Sequence, residues 1–181
     1  MSNLPEDTVT THTFGDPLSF GVHIEIADNP HYFIPWVKVG FFLAGQLRGV
    51  RNDWVRLDDV RNLAVDLRLH HGRRKYLLFQ DASSEQIYAH LERVWLGEAT
   101  SNLMWPEDVG PYAINFSWVV LWIFLIDDGK NARILYKEER NDPLLRELGD
   151  IAIFEKTLAD FTDFIEQFEI DWHLRRNATL H

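Results

Sequence analysis

The feature that most constrains the fold is a pair of strand patterns that follows a Gly-Asp-Pro turn near the N-terminus. Gly15-Asp16-Pro17 favours a turn, because proline fixes its own φ and keeps the residue before it out of the helical region. From Ser19 to Ala27 apolar and polar residues alternate, which is typical of a half-buried strand. A second apolar run, from Trp36 to Leu43, ends at a turn around Gly45. The sequence therefore predicts two consecutive strands early in the chain.

Later patterns add helices and a hairpin. Apolar residues recur at helical spacing from Leu57 to Leu69, and Ser83 with Gln86 resembles a capping box that opens a second helix. The other predicted elements are strands at 50–57, 115–126 and 132–138, a short strand or an extended connection at 74–79, a loop at 98–112, and an amphipathic helix around 154–168. The hairpin signal at 127–130 joins the two later strands, which we expect at the centre of the sheet. We predict an α+β fold with a mainly antiparallel sheet of about five strands, packed with two or three helices.

The chain length suits one domain, since 181 residues can bury a substantial core without disulfides. Residues 1–13 are polar and carry acids, so we predict a flexible N-terminal segment there. We predict a single domain at 14–175 and a flexible tail at 176–181.

Composition argues against several classes of partner and location. The chain has no cysteine, which suits a reducing cytoplasm. Its N-terminus lacks the basic and then apolar pattern of a signal peptide, and the longest apolar run, 116–126, is too short for a membrane helix. The net charge of -10 argues against general nucleic-acid binding and favours a basic partner. We predict a cytoplasmic protein that binds neither nucleic acid nor membrane, with the oligomeric state left open.

Candidate catalytic groups are few, and each has a structural alternative. His23 and Glu25 project from the same face of one strand, as two metal ligands would, but the sequence places no third ligand beside them. The acid pair 58–59 lies where helix starts prefer carboxylates, and the pair 127–128 lies in a hairpin turn. No nucleophile elbow or glycine-rich phosphate loop is present. We predict no catalytic residue, no metal site and no cofactor.

Charge is distributed unevenly along the chain. Residues 150–171 hold seven acids against one lysine, whereas residues 48–75 hold eight basic residues against four acids. This pattern predicts a polarised surface. The acidic helix is either an ordinary solvated face or a docking face that attracts a basic partner. The candidate contact residues are Asp160, Asp163, Glu166 and Glu169.

The first 70 or so residues resemble a known family. The opening Gly15-Asp16-Pro17-x-Ser19-Phe20, the strand Trp36-x-x-x-Gly40-x-Phe42, the Gly45 turn and the helix at 57–69 are similar to immunity proteins of bacterial polymorphic toxin systems, and most nearly to the Imm family numbered forty-two. The late apolar strand and the final helix show weaker similarity.

The resemblance implies a small, non-catalytic, cytoplasmic protein that binds a cognate toxin delivered between bacteria and blocks it. If the toxin is a nuclease, its basic face could be covered by the four acids of the last helix. Two alternatives stay open at this stage. One is a binding or regulatory subunit that self-associates through a sheet edge or an aromatic patch. The other is a small metal-dependent or acid–base hydrolase that uses His23, Glu25 or the carboxylate pairs.

Overall fold

The computed structural model describes residues 9–29, 31–48, 54–73, 82–98, 112–114, 123–127, 132–137, 146–148 and 151–179. Within these residues it contains two antiparallel sheets and three helices. The elements are β1 (Val9–Gly15), β2 (Phe20–Ala27), β3 (Trp36–Leu43), β4 (Gln46–Arg48), β5 (Val55–Arg56), α1 (Leu57–Leu69), α2 (Ser84–Trp95), β6 (Tyr112–Ile114), β7 (Ile123–Asp127), β8 (Ala132–Tyr136), β9 (Arg146–Leu148) and α3 (Ile151–Thr179). The predicted α+β class, with a five-stranded antiparallel sheet and three helices, is confirmed.

The chain forms two compact units. The first comprises Met1–Arg68 and Glu155–His181, and the second comprises Leu69–Phe154. The first unit holds the five-stranded sheet, in the order β1-β2-β3-β4 with β5 also paired to β3. The second unit holds a four-stranded sheet, in the order β6-β7-β8-β9.

The predicted alternation in β2 sets the two faces of the first sheet. Val22, Ile24 and Ile26 are buried, whereas His23 and Glu25 are only half-buried on the opposite face. In the antiparallel register, the apolar positions of β2 lie opposite apolar positions of β3. The β3 members of this buried layer are Val37, Val39, Phe41 and Leu43. Alternation along both strands therefore produces one core-facing side.

Helix α3 packs on the first sheet through aromatic contacts with β1. The ring centroid of Phe14 lies 5.7 Å from that of Phe161 and 5.1 Å from that of Phe164. The ring of His12 lies 4.4 Å from the same Phe164 ring. These separations suit favourable aromatic packing, so the inward side of α3 covers the β1 edge of the sheet.

The Gly-Asp-Pro sequence forms the turn between β1 and β2. Gly15 has a φ of 81°, and the side chain of Asp16 accepts a hydrogen bond from the Leu18 amide at 2.9 Å. The amide of Gly45, in the β3–β4 turn, donates to the Pro17 carbonyl at 3.0 Å. The two turns are therefore tied together, which gives this motif an architectural role.

The second unit contains the predicted capping box. The Ser83 hydroxyl accepts from the Gln86 amide at 3.4 Å, and the Gln86 side chain accepts from the Ser83 amide at 3.0 Å. At the other end of α2, Gly97 has a φ of 72° and its amide donates to the Val94 carbonyl at 3.0 Å. The capping box that the sequence predicts therefore begins α2, and the positive φ of Gly97 lets the chain turn away at the other end.

Helix α2 shares a buried cluster with β7 and β8. The cluster consists of Ile87, Tyr88, Leu91, Phe124, Ile126 and Leu135. Burial raises the pKa of the Tyr88 phenol well above its ordinary value, and the nearby Glu92 carboxylate raises it further. The Tyr88 hydroxyl is buried without a hydrogen-bond partner among the described residues.

Several predicted elements differ from the structure. The β7–β8 hairpin forms as predicted. It lies in the middle of the second sheet, where it pairs with β6 and β9 and not with strands from the first half of the chain. Strand β1 begins inside the segment 1–13 that was predicted as flexible, since β-branched residues at 9–11 pair with β2. Helix α3 continues to Thr179, into the predicted tail 176–181, and the Arg176 guanidinium lies 4.7 Å above the Phe33 ring.

Other predictions fall partly or wholly outside the described residues. Only Val55–Arg56 of the predicted strand 50–57 is a described strand, and β4 was not predicted. The strand at 74–79, the loop after residue 98 and the first part of the strand at 115–126 lie outside the described residues. The predicted domain limits at 14 and 175 stay a prediction.

Candidate functional site: the outer face of the last helix

Helix α3 presents the predicted acidic residues in two different environments. Asp160, Asp163 and Glu166 are exposed, whereas Glu169 is half-buried. The side chain of Asp163 is 68% exposed and that of Glu169 is 23% exposed. The four acids therefore do not form one uniform surface.

Two of these acids pair with arginines of α1. Arg61 Nη1 lies 2.7 Å from Glu169 Oε1, and Arg68 Nη1 lies 3.0 Å from Asp163 Oδ1. Because Glu169 is half-buried, its hydrogen bond with Arg61 fixes α3 against α1, while the exposed pair of Asp163 contributes less. The basic α1 and the acidic α3 thus partly neutralise each other.

The remaining two acids differ in their partners. Asp160 forms an ion pair with Lys156, one helical turn earlier. Glu166 is exposed and forms no ion pair or hydrogen bond within the part of the chain that the structure describes. Glu166 is consequently the predicted contact residue whose charge is most accessible to a partner protein.

His23 and Glu25 lie together on the open face of the first sheet. His23 Nε2 is 3.7 Å from Glu25 Oε1, and Lys38 Nζ is 3.5 Å from Glu25 Oε2. Thr13 Oγ1 lies 3.2 Å from His23 Nδ1, and Lys38 Nζ lies 4.5 Å above the Trp54 ring. Glu25 therefore has a cation beside it, and this cross-strand cluster links three neighbouring strands.

No three potential metal ligands from histidine, aspartate or glutamate come together among the described residues. A zinc site needs at least three such ligands, so the described part of this face offers only the His23 and Glu25 pair.

The carboxylate pair at 58–59 lies at the start of α1. Both acids are in its first turn, and Asp58 Oδ2 accepts a hydrogen bond from Arg56 Nη2 at 2.8 Å. Carboxylates are favourable here because the helix dipole is positive at its N-terminus. Asp127 ends β7, and residue 128 lies outside the described residues.

Two large apolar side chains lie on the outward side of α3, close to the acids. Ile170 is 55% exposed and Leu174 is 64% exposed. They are four residues apart and therefore adjacent on one helix face. The predicted contact residues do not include them, although both fall outside the buried stripe of Phe154, Leu158, Phe161 and Ile165. That mismatch in helical period was the available signal.

Comparisons with known proteins give a structural relative and no sequence relative. No family model matches the chain, and no curated protein matches its sequence. The crystal structure of CdiI from Burkholderia dolosa AUO158 is similar to this chain with a TM-score of 0.52 and 14% sequence identity. The similarity covers 83% of this chain and 97% of CdiI. This likeness shows that the two proteins share a fold.

None of the described helices is both long and apolar enough to cross a membrane.

Proposed function

We propose that this chain is an immunity protein, which binds and neutralises a cognate bacterial toxin without catalysing a reaction. The observation that carries the proposal is the similarity to CdiI, which is a contact-dependent inhibition immunity protein. The match extends over nearly all of CdiI and over most of this chain. One fold can host many functions, so the shared fold supports toxin binding as a proposal.

The sequence supports the same class independently. The resemblance to immunity proteins rests on the Gly15-Asp16-Pro17 turn, the aromatic strand β3 and the helix at 57–69. The proposal includes membership of the Imm family numbered forty-two and a role in a polymorphic toxin system. It also includes a cytoplasmic location, where an immunity protein meets an incoming toxin.

The charge of the molecule supports a basic partner. The chain has a net charge of -10, and its exposed α3 acids include Glu166, which has no partner among the described residues. Opposite charges on two proteins accelerate association and exclude wrong partners. A toxin that acts on nucleic acid would carry the complementary basic face, because it must bind phosphates.

Co-expression tests the proposal in cells. The toxin domain encoded beside this chain's gene is induced with the chain, and with an unrelated acidic protein of similar size as the control. We expect growth and a co-purifying complex only with the chain. Continued killing, while both proteins are soluble, would refute the proposed function.

A further inference from the structure

Helix α3 has two chemically distinct sides. Its inward side is apolar and contributes Leu158, Phe161, Ile165 and Trp172 to the core. Its outward side, which we name the outer stripe, follows helical spacing and is exposed along its length. The outer stripe consists of Asp160, Asp163, Glu166, Gln167, Ile170 and Leu174.

The apolar end of the outer stripe is available to a partner. Ile170 and Leu174 are more than half exposed and lie one turn apart, so their side chains form a continuous apolar surface. Single exposed leucines are normal on protein surfaces, but two adjacent large apolar residues beside a polar rim are typical of a contact site. Both residues are presented by a long helix, which holds them in a fixed relative position.

The outer stripe contains three acids, of which Asp160 pairs with Lys156 and Asp163 pairs with Arg68. Glu166 forms no ion pair among the described residues. The two arginines that follow it point elsewhere. Arg175 forms an ion pair with Asp28, and the Arg176 guanidinium lies 4.7 Å above the Phe33 ring. The acidic end of the stripe is therefore not neutralised from its C-terminal side.

Charge identifies the kind of occupant. A second copy of this chain would bring another net charge of -10 toward the unpaired carboxylate of Glu166, which costs free energy because like charges repel. A partner with an apolar pocket bordered by lysine or arginine would match both ends of the stripe.

We propose that the outer stripe is the surface that binds the toxin domain, with Ile170 and Leu174 inserted in an apolar pocket and Glu166 facing a basic rim. This inference rests on the proposed immunity function. Glu169 is excluded from the contact, although the sequence predicts it there, because its half-buried carboxylate holds Arg61 of α1. Asp163 lies on the outer stripe, but its carboxylate already pairs with the exposed Arg68 at 3.0 Å. Its charge is therefore less available to the toxin domain than that of Glu166.

The two ends of the stripe control different rate constants. A buried apolar anchor mainly slows dissociation, whereas exposed charges mainly speed association. Replacing Ile170 or Leu174 by alanine should therefore raise the dissociation rate, by about 30-fold for a central contact. Replacing Glu166 by glutamine should lower the association rate several-fold at low salt and leave it nearly unchanged at high salt.

Biolayer interferometry with the adjacent gene's toxin domain immobilised measures both rates. The matched apolar control is Leu18→Ala, because Leu18 is 80% exposed in the β1–β2 turn. The matched charge control is Glu169→Gln, which removes one acid from the same helix but not from the stripe. Circular dichroism and urea midpoints check that each variant is folded.

The outcomes distinguish the outer stripe as the binding surface from the immunity function itself. Faster dissociation for Ile170→Ala and Leu174→Ala, with Leu18→Ala equal to wild type, supports the outer stripe. If wild type binds and protects cells while both α3 variants equal Leu18→Ala, the stripe is wrong and the immunity function stands. If wild type neither binds the toxin domain nor protects cells, the proposed function fails and the stripe fails with it.

Discussion

Replacing Gly15 by alanine should destabilise the first unit through two separate effects. Gly15 has a φ of 81°, which costs an alanine about 1 kcal/mol. The new Cβ would also lie 2.6 Å from the Phe20 carbonyl oxygen and overlap the buried side chain of Thr157 on α3. That carbonyl is fixed by a 3.0 Å hydrogen bond from the Asp16 amide. Overpacking of this kind costs about 1–3 kcal/mol, so we expect a total loss of about 2–4 kcal/mol.

Gly45→Ala is the matched control. Gly45 has a φ of 84°, but the nearest atom to an added Cβ is Leu18 Cδ2 at 3.9 Å. Only the backbone term applies, so we expect a loss of about 1 kcal/mol. Urea titration followed by circular dichroism should give Gly15→Ala the lower midpoint, by about 1 M for typical slopes. Equal midpoints for the two variants would refute the close packing of the β1–β2 turn on α3.

Three further predictions concern local interactions. Glu169→Gln should lower the free energy of unfolding by about 1 kcal/mol, and Asp163→Asn should lower it by under about 0.5 kcal/mol. The difference is expected because the Arg61–Glu169 pair is less exposed than the Arg68–Asp163 pair. Equal losses in urea titrations would contradict this. Ser83→Ala should cost about 1 kcal/mol and speed amide exchange near Gln86, while Ser83→Thr keeps the cap and should not. The free energy of unfolding of the wild type should fall as the pH rises above about 10. Above that pH the Tyr88 phenol ionises in the unfolded chain, whereas its raised pKa keeps it neutral in the folded protein. Tyr88→Phe should reduce that fall and lose no stability at pH 7; a loss above about 1 kcal/mol would show that the hydroxyl has a partner.

Local patterns predicted the elements whose signals are short in range. The alternation in β2, the run of β3 and the capping box of α2 each depend on neighbouring residues, and each lies where the sequence places it. The separation into two sheets was not predictable in this way. The β7–β8 hairpin carries the same local signal in either sheet, because strand order depends on long-range pairing.

In the candidate site, too, the local pattern is predictable from the sequence and the long-range contact is not. Sequence spacing gave the acidic face of α3, but it could not show that Glu169 meets Arg61, which lies 108 positions earlier in the chain. Sequence charge alone treats the four acids as equal. The tertiary contact separates an accessible acid, Glu166, from one that holds two helices together.

The proposed function requires that this chain inhibits a toxin by binding it directly. The most direct measurement is a titration of the purified toxin domain from the adjacent gene with the purified chain, following toxin activity and binding heat together. We predict that activity is lost in step with binding and disappears when one copy of the chain is bound per toxin. A toxin that stays fully active in a large molar excess of folded chain, with no binding heat, would contradict the account.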